Sequence, residues 1–328
     1  MIRFFRRPGT APVFLMLLVA LGLWSEFLIS PPQPESLSVV QPMPVWGLIL
    51  RLLSGSPLAA VILSLTLVIA VVSVMIRFNT EIFFIPRRTY LPAMLFVLLY
   101  SLFPGEMVLN PALPASLLIL AAIWRMVSSY RLNGMSFNFF DAALMISSAG
   151  MFYAGSVWFI ALVFIGALVL RSPDARELSL ALAGALLPWI VLYAVWYVVG
   201  KDVGELTGII RHNLFDPAPP AGWSRTLVIL LIVAGLNFLP SIVYLARGMS
   251  TFKIRSRKTW EIFLWLIAIS GATLLFVPAV SAEITAVAAM PVAFIMANQM
   301  AFTKRVVISE ILLWVMIVML VVSRLWPL

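Results

Sequence analysis

A histidine and an aspartate in one predicted loop have a spacing that suits acid–base chemistry. His212 and Asp216 are four residues apart, so a helix over 206–215 would place them on one face. A carboxylate beside an imidazole orients it as a base, although a loop histidine near a carboxylate is often an incidental pair. Because two ligands without a third do not make a metal site, we predict no metal and no cofactor.

Two carboxylates near the first predicted outer loop suggest a second chemistry. Membrane-embedded glycosyltransferases of the GT-C type, which use polyprenyl-phosphate donors, place an acidic residue there, followed by a helix lying on the membrane. In this sequence Glu26 or Glu35 would deprotonate an acceptor hydroxyl, while Lys201 or Arg211 neutralises the departing phosphate. No Asp-x-Asp motif accompanies them. The simpler alternative is that both carboxylates are solvated at the membrane interface.

Three amides near prolines suggest a third chemistry. Asn237 lies close to Pro240, and Asn298 and Gln299 follow Pro291, all inside apolar runs. Helices broken at proline free backbone carbonyls that bind ions or substrates in transporters. Isolated prolines are also common in ordinary membrane helices, whose neighbours restore the lost hydrogen bonds. An odd number of spans and no visible inverted repeat argue against a transporter.

The composition indicates that the surroundings of this chain are mostly lipid. Of its 328 residues, 63% are hydrophobic and 11% are charged, with a mean hydropathy of +1.08. A soluble domain carries roughly 25% charged residues. The absence of cysteine excludes disulfides, thiolate metal sites and cysteine nucleophiles. The single histidine excludes sites built from several imidazoles.

Apolar runs bounded by charge, proline or glycine predict about eleven membrane-spanning helices. Most runs approach the roughly 20 residues that cross the hydrocarbon layer, and strands with unpaired edges cannot face lipid. The predicted fold is therefore an all-α, polytopic transmembrane bundle that forms a single integral membrane domain over 1–328. The predicted spans are 11–30, 56–76, 90–108, 110–130, 138–153, 155–170, 178–199, 226–246, 260–277, 283–301 and 306–323.

The distribution of basic residues orients this bundle. Seventeen of the 22 lysines and arginines fall on one side, which the positive-inside rule assigns to the cytoplasm. The N-terminus then lies inside and the C-terminus outside, and the net charge of +9 reflects topology, so we predict no nucleic-acid partner. The outer basic residues are Arg51, Lys201, Arg211, Arg225 and Arg324. Seven outer carboxylates are typical of a solvated surface: Glu26, Glu35, Glu106, Asp202, Glu205, Asp216 and Glu283.

Three stretches need separate interpretation. Residues 138–170 are fewer than two full spans need. If they formed a single span, the orientation of all later helices would reverse, and the basic stretch 247–258 would lie outside, against the positive-inside rule. We therefore predict two short helices, turned at Ala154-Gly155-Ser156, which form either two short spans or a re-entrant pair. Residues 31–55 predict an outer loop with an interfacial helix, and residues 200–225 form the longest predicted outer loop.

Several segments resemble an uncharacterised family of Bacteroidota multi-pass inner-membrane proteins, defined as a domain of unknown function. The resemblance covers about the first two-thirds of the chain, and the last third is similar only in being hydrophobic. It implies an inner-membrane location and no established activity. The matching segments are MIRFFRR at the N-terminus, RRTYLPAMLFVLLYSLFP at 87–104, FNFFDAALMISSAGMFYAG at 137–155 and LVLRSPDARELSLALAGALLPWIVLYAVWYVVG at 168–200.

The sequence favours an accessory or scaffold protein of the bacterial cell envelope over an enzyme. The predicted loops are too short for a separate domain, and no metal set, phosphate loop or nucleophile with a base is evident. Its expected partners are the lipid bilayer and other membrane proteins, with a polyprenyl lipid as a further candidate. The periplasm-facing GT-C-like glycosyltransferase or polymerase and the secondary transporter remain the alternatives.

Overall fold

The computed structural model describes residues 2–6, 9–31, 41–53, 55–130, 137–171, 174–218, 225–303 and 306–325. Within these ranges the chain is helical and contains no strand. The helices are α1 (Ile2–Phe5), α2 (Thr10–Ile29), α3 (Pro44–Leu53), α4 (Pro57–Ile82), α5 (Leu91–Tyr100), α6 (Ala112–Ser128), α7 (Phe137–Ala149), α8 (Ile160–Leu170), α9 (Ala175–Val198), α10 (Val203–Phe215), α11 (Arg225–Gly248), α12 (Ile254–Phe276), α13 (Thr285–Phe302) and α14 (Val306–Leu325).

Every predicted span contains one of these helices, so the predicted all-α fold is confirmed. Among the described residues, six helical segments are long and apolar enough to cross a membrane: Thr10–Ile29, Pro57–Ile82, Ala175–Val198, Arg225–Thr251, Ile254–Phe276 and Ala282–Phe302. Large apolar side chains of α9 and α11 are exposed on the surface of the bundle, which requires apolar surroundings. The protein is therefore membrane-embedded, while the total of eleven spans and the orientation stay predictions.

Two predicted helix boundaries were wrong. The helix predicted over 90–108 ends at Tyr100, and Pro104–Glu106 form a short 3-10 turn, because proline and glycine follow at 104 and 105. The reversal predicted at 154–156 lies earlier, since α7 ends at Ala149 and residues 154–159 already form the 3-10 turn that leads into α8. With ten residues, α5 is about 15 Å long, which is too short to cross a bilayer alone.

Side chains satisfy the irregular backbone that follows α5. The carbonyl of Met107 accepts hydrogen bonds from the indole of Trp24 at 3.2 Å and from the hydroxyl of Ser64, and the hydroxyl of Tyr100 donates to the carbonyl of Glu106. Non-helical backbone in an apolar protein is tolerated where such partners replace the helical ones. These bonds join the segment after α5 to α2 and α4.

Basic side chains hold helix C-termini together at one end of the bundle. Arg6 and Arg87 donate to carbonyls in the last turn of α13 at 2.9 and 2.8 Å, and Lys258 donates to the last carbonyl of α8 at 2.7 Å. Cations at helix C-termini also interact favourably with the helix dipole. An ion pair between Arg125 and Asp141 joins α6 to α7. The sequence assigns all these groups to the cytoplasmic side.

The opposite end of the bundle gathers the segments that the sequence assigns to the outer side. Backbone and side-chain hydrogen bonds connect them across the bundle, and we call this region the outer end, after the predicted topology. It consists of residues 41–53, 103–111, 150–156, 199–218 and 277–284.

A glycine permits a close crossing between α7 and α9. A Cβ atom built on Gly184 would lie 2.4 Å from the backbone carbonyl oxygen of Phe140, so no larger residue fits without moving a helix. The hydroxyl of Ser147 on α7 donates to the carbonyl of Ala185 beside it. Small residues allow this kind of close backbone approach in membrane proteins.

This crossing predicts a matched pair of glycine variants. Gly184→Ala should destabilise the protein, because overpacking against backbone costs about 1–3 kcal/mol and a main-chain oxygen cannot rotate away. Gly271→Ala in α12 is the control, since a Cβ there meets nothing within 4 Å. The thermal midpoint in detergent measures both. Equal midpoints for the two variants would contradict this account.

Candidate functional site

Two amphipathic helices cover the outer end of the bundle. Trp46 of α3 is buried with Met43 against Ala154, and apolar residues of α10 and α9 pack on this small cluster, which is separate from the main core. The carboxylate of Asp202 caps α10 by accepting from the amide of Gly204 at 3.1 Å. The interfacial helix predicted within 31–55 is therefore present as a helix, and the loop predicted over 200–225 contains a second one.

The connection between α9 and α10 positions Lys201. Gly200 adopts a left-handed conformation with φ of 77°, which ends α9, and the amide of Lys201 donates back to the carbonyl of Trp196 at 3.2 Å. The ammonium of Lys201 then lies 4.2 Å from the centre of the Trp196 ring. A cation–π contact of this kind holds the charge at the mouth of the groove described next.

A groove with a volume of about 950 Å³ lies between α3, α9 and α10. Its apolar wall includes Leu48 from α3 and, from α9, Val191 and Val195, which are about half exposed. Charged and polar side chains provide the rest of the lining: Arg51, Lys201, Glu205, His212 and Asp216. The groove thus combines an apolar wall with basic groups.

A smaller cavity with a volume of about 350 Å³ adjoins the groove at the outer end. Glu106, Glu283 and Tyr153 line it, and His212 and Asp216 line both this cavity and the groove. We call it the acidic cavity, because none of the described residues that line it is a lysine or an arginine. Burial, and to a smaller extent the charge of Glu283, raise the pKa of Glu106 from 4.5 to about 7.

The structure brings three of the predicted site residues together. Nδ1 of His212 lies 2.8 Å from the carboxylate of Asp216, as the helical spacing predicts, and Lys201 lines the same groove. Arg211 is exposed on α10 and lines neither space. Glu26 is exposed on α2 and likewise lines neither. Glu35 lies outside the described residues.

The three predicted amides lie between α11 and α13, away from both spaces. The side chain of Asn237 donates to a carbonyl of its own helix at 3.0 Å, and the hydroxyl of Ser241 donates to the side-chain oxygen of Gln299 at 2.5 Å. Asn298 is fully buried, with no hydrogen-bond partner among the described residues. Gln299 thus joins two helices, and none of the three amides lines the groove or the acidic cavity.

The sequence interpretation missed the role of Glu106, Glu283 and Tyr153. Both glutamates were predicted as solvated outer charges, yet they are partly buried and line one cavity. Each follows a break in an apolar run, at Pro104 and at Pro278. A carboxylate beside such a break is a usable signal for a polar site at a helix end. Among the described residues, no three histidine, aspartate or glutamate side chains are placed to hold a metal ion.

A family match extends over the segments that build this site. The model of one protein family matches residues 46–326. The chain belongs to DUF6427, a family of unknown function. The match includes the last third of the chain, where the sequence suggested only general hydrophobicity, and it leaves out the N-terminal MIRFFRR segment. No curated protein and no solved structure matches the chain. Membership brings no activity with it, so the function is argued from the site.

Glu106 predicts a pH dependence of stability. Between about pH 4.5 and about 7 the folded protein keeps a proton that the unfolded chain releases, so stability falls as the pH rises through this window. Between about pH 5 and about pH 8, the thermal midpoint of Glu106→Gln should fall by less than that of the wild type. Glu81→Gln, at an exposed position of α4, is the control. The prediction fails if all three proteins lose stability in parallel over this range.

Proposed function

We propose that this protein is an accessory, non-catalytic component of the bacterial inner membrane that binds a phosphate-bearing lipid in the groove between α3, α9 and α10. The observation that supports this is the lining of the groove, which is apolar along α9 and basic at Lys201 and Arg51. Its expected partners are membrane proteins of the cell envelope. A polyprenyl phosphate and an ordinary phospholipid both have the required chemistry.

The apolar wall suits a lipid chain. Val191, Val195 and Val199 lie along α9 and are 50%, 55% and 64% exposed, and they line the groove as well as the surface of the bundle. The hydrocarbon chain of a lipid could therefore enter the groove from the surrounding bilayer without crossing a polar barrier. Apolar surface of this kind gains roughly 25 cal/mol for each Å² that a ligand covers.

The basic groups suit the phosphate. Lys201 is held over Trp196 and Arg51 lies in the last turn of α3, so both charges belong to ordered helix ends. Glu205 also lines the groove, and Asp216 is engaged by His212 at 2.8 Å. Hydrogen bonds between a phosphate and an arginine or lysine are charge-assisted and about twice as strong as neutral ones.

Lipid retention tests this proposal. Wild-type protein purified in mild detergent should carry a phosphate-bearing lipid detectable by mass spectrometry of the extract, and Lys201→Ala should retain roughly tenfold less, as expected for the loss of about 1.4 kcal/mol. Arg211→Ala is the matched control, because it removes the same charge from the same end but does not line the groove. Equal lipid content in Lys201→Ala and wild type would overturn the assignment.

Partner retention tests the accessory role. A non-catalytic component should co-purify with a membrane protein in fixed stoichiometry under gentle detergent, and Glu26→Gln and His212→Gln should keep that partner. Recovery of a monodisperse protein alone would count against this role.

The transferase alternative keeps one specific supporting observation, which is the His212–Asp216 pair on the groove wall. An imidazole oriented by a carboxylate could take the proton of an acceptor hydroxyl. Transfer of a sugar from a polyprenyl-phosphate donor by the wild type, and its loss in His212→Gln, would favour this alternative over the accessory role.

A further inference from the structure

The acidic cavity has an unusual balance of hydrogen-bonding groups. Glu106 comes from the turn after α5, Glu283 from the turn before α13, Tyr153 from the turn after α7, and Asp216 from the end of α10. Among the described residues of the lining, His212 carries the one titratable nitrogen, and it already contacts Asp216. Four titratable side chains that carry oxygen, from four parts of the chain, thus line one space.

Within the described ranges, three of these groups have no charged or hydrogen-bonding side-chain partner. The hydroxyl of Tyr153 is buried without a hydrogen-bond partner, and the residue is 5% exposed. The carboxylates of Glu106 and Glu283 form no ion pair with any residue that the structure describes. A buried polar group costs free energy unless it is hydrogen-bonded, and a buried charge costs more. A ligand that supplies donors and positive charge would remove these costs.

The walls of the acidic cavity are held in place without a ligand. A Cβ atom on Gly155 would lie 2.7 to 2.8 Å from the ring and hydroxyl of Tyr153, so the glycine lets the tyrosine fold back over the chain. Asn110 donates to the backbone carbonyl of Glu283 at 3.2 Å and also caps α6. Groups that are already in position bind a ligand without a further ordering cost.

We propose that the acidic cavity binds a primary ammonium group. An ammonium offers three donors and one positive charge, which matches two carboxylates and a tyrosine hydroxyl. An anion would meet the charges of Glu106 and Glu283 without a lysine or arginine to offset them. A bare metal ion fits less well, because the cavity of about 350 Å³ is large for an ion and the described carboxylates and histidine do not converge on one point.

Two sources could supply this ammonium group. One is a free small amine from the outer solvent, and the other is the head group of an ethanolamine phospholipid. The second source rests on the proposed lipid groove, since His212 and Asp216 form a wall common to the groove and the acidic cavity. The first source does not depend on the groove.

Thermal midpoints in detergent at about pH 8 test ammonium binding, with ethanolamine hydrochloride as the probe. At roughly tenfold its dissociation constant, ethanolamine should raise the midpoint of the wild type by about 2–4 °C, and sodium chloride and ethylene glycol at equal concentration should not. Glu106→Gln and Glu283→Gln should lose the shift, because each keeps the side-chain shape and removes a charge. Glu205→Gln, which lines only the groove, should keep it.

The same measurement in nanodiscs separates the two sources. If the lipid head group fills the acidic cavity, ethanolamine should shift the midpoint in phosphatidylglycerol nanodiscs and not in phosphatidylethanolamine nanodiscs. A shift in both would assign the cavity to a free amine. A wild-type shift that sodium chloride reproduces, or one that persists in both glutamine variants, would overturn the proposal. Lys201→Ala should keep the ethanolamine shift in detergent, because Lys201 lines the groove and not the acidic cavity. A result that contradicts lipid binding in the groove can therefore be told apart from one that contradicts ammonium binding in the acidic cavity.

Discussion

The structure depends on one constraint, which is that polar groups within an apolar bundle must find their partners inside the protein. With 63% hydrophobic residues, the chain satisfies most of its backbone in helices. Where a helix ends within the bundle, side chains take over, as Trp24 and Ser64 do at the carbonyl of Met107. Unpaired polar groups in such surroundings cost several kcal/mol each, so each exception calls for an explanation.

Polar groups at the two ends of the bundle differ in whether they have partners. At the end formed by the C-termini of α8 and α13, arginine and lysine side chains pair with helix carbonyls. At the outer end, two carboxylates and a tyrosine hydroxyl face a cavity without such pairing. Asn298 also has no hydrogen-bond partner among the described residues, but it is fully buried and lines neither the groove nor the acidic cavity. An unpaired polar group inside the packed core is a cost of packing. Unpaired polar groups that line a cavity instead indicate a binding site.

The parts of the fold that follow from local pattern were predictable from the sequence. Hydrophobic runs located a helix in every predicted span, and the spacing of four residues placed His212 beside Asp216 once α10 was helical. The early end of α5 was also signalled by Pro104 and Gly105, but a hydropathy pattern does not distinguish a turn buried in protein from a helix in lipid. The predicted membership of an uncharacterised family is confirmed, and three of the four segments that carried the resemblance lie within the matched residues 46–326.

The acidic cavity was not predictable, because Glu106 and Glu283 lie far apart in the sequence and meet only through tertiary packing. Each glutamate alone looks like a solvated loop charge, and only their common cavity makes them unusual. Tertiary structure also distinguishes Lys201 from Arg211, which have the same charge and lie in the same predicted loop. The left-handed Gly200 directs Lys201 onto Trp196 and into the groove, whereas Arg211 follows the exposed face of α10.

Two adjoining spaces with different charged groups in their linings favour a role in binding over a role in chemistry. The groove has basic groups and an apolar wall, the acidic cavity has carboxylates, and the His212–Asp216 pair forms the wall between them. A molecule with a phosphate, an ammonium group and a lipid chain would complement all three surfaces at once. A transferase would need, in addition, to hold a donor and an acceptor together within reach of the imidazole. The lining of the two spaces is therefore explained more simply by recognition of a head group than by turnover of a substrate.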